Sequence, residues 1–355
     1  MIRLTWLQFR AQAVTGAAAL AALAFLLAAT GPHIASMYAA SGLSSCQGSS
    51  CENLARTFLQ QLKADGGYSW LYLVSVASIL LAPAITGLFW GAPLIAHELE
   101  TGTSALAWTQ SVTRTRWLAV KLAVVGLAAM AVTEGLSLMQ AWWAAPIGRA
   151  VGHGARSGGS IFSMNQFSTL VFATHGITPL GYAAFAFTLG VTAGALIRRT
   201  VPAMAVTLAI FAVVQIAIPL WIRPQLLPPS HTVIPVTSLE STSGSTQSTG
   251  SSGNSFVLLT QNLPGQPGAW LLSSGTVNAA GQAVSTAPAI CFTPSAENSS
   301  SGFAGCLADH GIRETISYQP ASRYWPLQWA ETAIYLALTL ALARYCLRRL
   351  NRRRS

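Results

Sequence analysis

The sequence predicts an all-α polytopic membrane protein with six transmembrane helices. Three observations carry that reading. Of the 355 residues 52% are hydrophobic and only 8% charged, with a mean hydropathy of +0.48, too apolar for a soluble chain of this length. Six apolar stretches of spanning length alternate with polar ones. Most arginines sit at the ends of those stretches, where membrane topology is written, so the formal charge of +10 does not point to nucleic acid.

The elements follow in order. Residues 1–12 place Ile2, Trp6, Phe9 and then Ala13 at spacings of three and four, with Arg3 and Arg10 on another face. That pattern fits an amphipathic helix at the membrane interface, and is compatible with a plain basic lead-in to the first span. The Ala/Leu run 14–30 is span 1; a secretory leader has a similar layout, but no clear A-x-A cleavage site follows. Residues 35–67 are polar and carry Cys46 and Cys51. Span 2 covers 70–96, where Pro83, Gly87, Gly91 and Pro93 predict kinks. Span 3 covers 117–143, and Trp142 and Trp143 mark its far interface.

A Gly-rich loop with Arg149, His153 and Arg156 occupies 146–166. Span 4, 167–197, exceeds the roughly 20 residues that a ~30 Å bilayer requires. It must tilt, project past the headgroups, or bend near Gly176–Pro179. Arg198 and Arg199 end it, and Pro202 lies in the first turn of span 5, which closes near Ile222. Residues 223–325 form a polar insert. Within it 238–255 has the composition of a flexible Ser/Gly/Thr tether, and the pieces SFVLLT and AWLLSS suggest a small β-containing unit. Span 6, 326–346, runs into the basic tail RRLNRRRS. The chain thus divides into a membrane domain (1–222), an insert (223–325) and a last span with its tail (326–355).

With both termini cytoplasmic, 13 of the 20 basic residues fall on the inner side, as the positive-inside rule requires. The same topology puts Cys46/Cys51 and Cys291/Cys306 outside, where disulfides persist, and leaves the odd Cys346 inside. Free thiols at those four positions are the alternative. A bridge between Cys291 and Cys306 would close a loop worth ~3 kcal/mol on the chain-entropy account.

The charges that remain concentrate between spans 2 and 3. Glu98, Glu100, Arg114, Arg116 and Lys121 lie in the stretch 93–121, beside the membrane on its inner side. Thr103 is placed to cap a short helix over 104–110, with Leu106 and Gln110 on one face and Trp108 on the other. Thr113 is placed to cap span 3. Glu98 and Glu100 can pair with Arg114 and Arg116, tying the ends of spans 2 and 3; as solvated interfacial charges they would contribute only ~0–1 kcal/mol each.

E-L-E-T-G-T, then L-A-W-T-Q-S-V-T-R-T-R-W and a lysine four residues on, resembles the permeases of type-2 class ABC exporters, and more narrowly their actinobacterial six-span subfamily. FWGAPLIAHELE before it and GALIRRTVPAMAVT (194–207) between spans 4 and 5 support the likeness; the insert matches nothing recognisable. His97 departs from the arginine that such permeases often carry before the first Glu. The resemblance implies a cytoplasmic coupling helix between spans 2 and 3, with Glu98, Glu100, Thr101, Gly102, Thr103, Leu106, Trp108, Gln110, Arg114 and Arg116 at the ATPase contact. It further implies a separate ATPase subunit carrying ATP and Mg, a second permease chain (identical or a sister), and export by alternating access. No G-x-x-x-x-G-K-S/T phosphate loop occurs, so no cofactor and no enzymatic activity are expected in this chain.

Glu134, in the middle of span 3, is the candidate for the substrate path. An ionisable group there costs roughly 2.5–3.5 kcal/mol on insertion scales, so it faces the bundle interior or a wet path. A neutral Glu bonded to a neighbouring helix fits equally. Gln140 falls on a different face of the same helix, and Glu331 reads as a wetted residue near the outer interface of span 6. His175 and Thr178 lie near the bend of span 4; a lone histidine reads as hydrogen-bonded rather than as a metal ligand. The apolar spans suit a hydrophobic or amphipathic cargo, such as a drug-like natural product or a lipid, and the basic tail either binds anionic lipid or fixes topology. A membrane sensor or assembly subunit that reads ligands through its insert is the rival reading, and an intramembrane enzyme a more distant one.

Overall fold

The computed structural model describes the chain apart from residues 1, 47–49, 101–113, 154–160, 237–244, 248–256, 260–262, 264–265, 267, 285–288, 293–301 and 353–355. Among the described residues six helices are long and apolar enough to cross a membrane: Leu20–Ala40, Gly66–His97, Leu122–Gly152, Thr178–Ile197, Thr200–Gln225 and Ala321–Arg349. They are referred to as spans 1 to 6.

Span 1 is the second half of α1 (Ile2–Ala40), which runs unbroken from the N-terminal stretch into the membrane. The polar segment after it is not a plain loop. It holds α2 (Ser50–Ala64), whose Ala55, Phe58, Leu59 and Leu62 are buried at helical spacing while the other face is polar. Cys46–Cys51 ties the first turn of α2 back to the end of span 1. Span 2 consists of α3 (Gly66–Ile85), a π-helical turn over Thr86–Gly91, and α4 (Ala92–Glu100). The expected kinks take this form: Pro83 and Pro93 each remove an amide donor, and the turn between them widens.

Span 3 lies in α5 (Arg114–Gly152), which continues well past Trp143, so the Gly-rich loop begins later than expected. Trp143 itself is buried and donates Nε1–H to Thr30 Oγ1 of span 1 at 2.9 Å. Only Trp142 remains largely exposed. Of the three outcomes left open for the stretch 167–197, the chain takes the bend, just before span 4. A short α6 (Thr169–Thr174) is followed by a break at 175–177 with Gly176 at φ +78°, and then by α7 (Thr178–Ile197). Span 5 is α8 (Thr200–Ala217) with a π-helical end over Ile218–Ile222, and span 6 lies in α10 (Tyr324–Arg352).

The axis of the bundle is α7, buried at every position from Thr178 to Gly194 except Leu180. Spans 2, 3, 5 and 6 pack around it, and span 1 packs on span 3. Lipid is as apolar as leucine, so close backbone approach decides which helices pair in a membrane. Gly87 and Gly91 of span 2 face Ala186, Phe187 and Gly190 of span 4, and Gly194 faces Ala92. A Cβ on Gly87 would lie 2.6 Å from the Ala186 carbonyl, and one on Gly91 2.6 Å from that of Phe187.

Between spans 5 and 6 the insert forms the expected β unit. Strands β1 (Ser230–Pro235), β5 (Arg313–Gln319) and β4 (Trp270–Val277) make an antiparallel sheet in that order, and β2 (Ser245–Gln247) pairs with β3 (Val257–Leu259). Cys291–Cys306 bridges to α9 (Gly302–Asp309). The sheet is fastened to the bundle by Gln319, which donates to Leu227 O at 2.8 Å, by Arg323 on Pro228 O, and by Asn165 donating to Ala269 O at 2.7 Å.

Candidate functional site

At the inner end, as topology counting has it, Thr101, Gly102, Thr103, Leu106, Trp108 and Gln110 lie outside the described residues. Glu98 belongs to α4 and Arg114 and Arg116 to α5, but the pairing expected of their side chains also lies outside them. Glu100 is described, and its partner is Thr200. Oε1 accepts the Thr200 amide at 3.2 Å and Oε2 the Thr200 hydroxyl at 2.6 Å.

That contact has a physical cause. Helix α8 starts after Arg199 with no side-chain cap of its own. Its first amides and dipole are open to an acceptor, and a carboxylate from the neighbouring segment supplies one. The Thr200 hydroxyl and then its amide hold the Glu100 carboxyl below the ordinary value, with smaller help from His97 and Arg199. The turn that positions Thr200 is tight, with Arg198 in the left-handed region at φ 58° and its amide on Gly194 O at 3.0 Å. Spans 2 and 5 are thereby joined at the ends that carry Glu100 and Thr200.

In mid-membrane Glu134 is half-buried and lies near the Leu180 amide in the first turn of α7, while its Oε2 is buried without a partner among the described residues. One turn away, Ser137 donates towards Thr174 O at 3.0 Å and Gly176 O at 3.3 Å, at the break in span 4. Gln140, assigned from sequence to another surface, is fully buried, and neither its Oε1 nor its Nε2 has a partner there. Span 3 thus turns a polar edge towards span 4. His175 Nδ1 is hydrogen-bonded to Val171 O at 3.0 Å and to Thr174 Oγ1 at 3.1 Å, as a helix residue would be.

Towards the chain-end face, spans 3, 4 and 6 leave a groove of about 300 Å³ lined by residues including Ala123, Gly126, Ala184, Phe187 and Ala343. Its wall is almost wholly apolar.

Sequence reasoning missed the most polar feature of the bundle. Glu331 is not wetted but fully buried, in a two-pronged ion pair with Arg223: Nε to Oε2 is 2.7 Å and NH2 to Oε1 3.0 Å. Tyr182 donates to the same Oε1 at 2.7 Å, and the Arg223 guanidinium stacks 4.0 Å over the Phe172 ring. Three spans therefore meet on one carboxylate. Beside it Gln328 fills the break in span 4. Its Oε1 accepts the amides of Ile177 and Thr178 at 3.1 Å, and its Nε2 donates to Phe172 O and His175 O. A signal existed: in so uncharged a chain, one base at the end of span 5 and one acid just inside span 6 lie at similar depth and invite pairing.

Two residues of the chain's five cysteines per bridge form Cys46–Cys51 and Cys291–Cys306, and Cys346 is free and buried. A family model described as ABC-2 membrane transporter related matches residues 17–223, more than half of the chain and nearly all of spans 1 to 5. No curated protein and no solved structure matches.

Proposed function

Because the chain belongs to the ABC-2 membrane transporter related family, we propose that this membrane transport permease is the transmembrane subunit of an ATP-driven exporter whose ATPase is a separate polypeptide. It acts in the plasma (inner) membrane with both termini cytoplasmic, within the actinobacterial six-span group, as a homodimer or beside a sister permease. ATP and Mg belong to the partner.

The observation that carries this reading is the contact that Glu100, within the charged stretch 93–121, makes with Thr200. The stretch 104–110, for which the sequence predicts a short helix, receives the ATPase movement. From there α4 and α5 lead directly into spans 2 and 3, and Glu100 leads into span 5. Span 4, held to span 2 backbone against backbone, cannot stay behind. The cargo is hydrophobic or amphipathic, with Glu134 the polar group it meets, and the insert caps the exit.

Co-expression with a candidate ATPase, affinity purification through the permease and reconstitution into liposomes tests the proposal. A retained ATPase whose turnover rises with particular amphipathic compounds is expected. A permease that purifies without an ATPase would favour the sensor or assembly subunit, for which the folded insert is the supporting feature.

A further inference from the structure

The groove between spans 3, 4 and 6 has the chemistry of a lipid site, independently of the ATPase and of the direction of transport. Small residues on all three helices, among them Ala123, Gly126, Ala184 and Ala343, leave the trough of about 300 Å³. Leu127 and Leu340, each next in sequence to a lining residue, are 61% and 70% exposed, as residues facing hydrocarbon would be. The Thr339 hydroxyl in its wall donates to Tyr335 O at 2.8 Å, and Thr188 is the other polar residue among the lining. A trough of this kind is dry, and what fills it must be apolar. The volume also selects. At about 300 Å³ the trough sits at the lower edge of the ~300 to 1,000 Å³ of sites for drug-sized ligands. A stretch of linear chain fits it and leaves the rest of the molecule in the bilayer.

Charge identifies the other end of the occupant. Thr339, Ala343 and Leu347 form the lining stripe on span 6 at helical spacing. The adjacent ridge, also at spacings of four, is Leu340, Arg344 and Arg348. Both arginines are exposed, and neither has an acidic partner among the described residues. Arg349, on a different face, donates to Tyr345 Oη at 2.9 Å. The ridge passes from hydrocarbon-facing leucine to free guanidinium at the end of the span, the order in which a phospholipid passes from tail to phosphate.

We propose that this groove binds one anionic phospholipid of the leaflet at the chain-end face, with an acyl chain against Ala123, Ala184 and Ala343 and the headgroup on Arg344 and Arg348.

The test uses the full-length protein, delipidated in detergent and titrated with phosphatidylglycerol or phosphatidylcholine of equal chain length, with bound lipid counted by native mass spectrometry. The first phosphatidylglycerol binds more tightly than phosphatidylcholine. Arg344→Gln with Arg348→Gln removes that preference, about fivefold per arginine at the ~1 kcal/mol per basic residue expected near a surface. Ala123→Phe with Ala343→Phe weakens both lipids by filling the trough. Equal affinity for the two lipids in the unaltered protein overturns the proposal, as does unchanged phosphatidylglycerol binding in the double Arg variant, a surface change that leaves packing alone. Disulfide cross-linking of two chains through Leu340→Cys would assign the groove to a second copy instead.

Discussion

Arg223 at the end of span 5 and Glu331 in span 6 form an ion pair with 1% and 0% of their side chains exposed, 108 residues apart in sequence. Two charges out of water are tolerated only when geometry is good and the remaining polar atoms are satisfied. Here the guanidinium is forked on the carboxylate, stacked on Phe172 and joined by Tyr182.

Removing one partner strands the other. Arg223→Met or Glu331→Leu alone should destabilise by ~3–5 kcal/mol, while the two together recover most of the loss because an apolar pair carries no desolvation penalty. Tyr182→Phe should cost less, ~1.5–3 kcal/mol for a hydrogen bond to a charge. Thermal unfolding of the purified protein measures all four. Equal instability of the single and double variants would show that the pair does not act as a unit.

The glycine contact makes a second, sharper contrast. Gly87→Ala puts a methyl group against the Ala186 carbonyl and should cost ~1–3 kcal/mol by overpacking. Gly135→Ala, in span 3 with nothing within 4 Å of its added Cβ, should be neutral or stabilise by ~0.4–1 kcal/mol. Similar unfolding temperatures for the two variants would contradict the close crossing of spans 2 and 4.

The Glu100 contact predicts a pH dependence. Thr200 holds the carboxyl below its ordinary value of 4.5, so the contact is favoured while Glu100 is ionised. Its contribution is fully present above the ordinary carboxylate range and is lost as pH falls through the lowered value. Hydrogen exchange at the Thr200 amide, corrected for intrinsic rates, should show protection at neutral pH that disappears in acid. Glu100→Gln should remove that pH dependence.

Most of the architecture was legible because hydropathy and arginine placement respond to the bilayer itself. The bend of span 4 was one of three outcomes that its excess length left open, and the prolines and glycines of span 2 signalled a kink but not its π-helical form. Helix α2 was not legible, because an amphipathic helix with this much polar surface has the composition of a loop. The ends of α5 were missed for a different reason. Paired tryptophans do not mark where a helix stops, and this one goes on to Gly152 with Ala144, Ile147 and Ala150 buried. Glu331 was misread because a lone acid near an interface is usually wet, and its partner is distant in the chain. Gln328 was passed over as ordinary, since its role depends on the broken helix beside it. Glu134 was legible as an inward-facing group, though not its Leu180 neighbour.

The measurement that bears most directly on the central claim is ATP turnover by the purified permease–ATPase complex, with Glu98 and Glu100 unaltered or replaced by alanine. If movement passes through this end of spans 2 and 5, the Glu98→Ala, Glu100→Ala complex should still assemble but lose most of its cargo-stimulated turnover. Stimulated turnover equal to that of the unaltered complex would contradict the account.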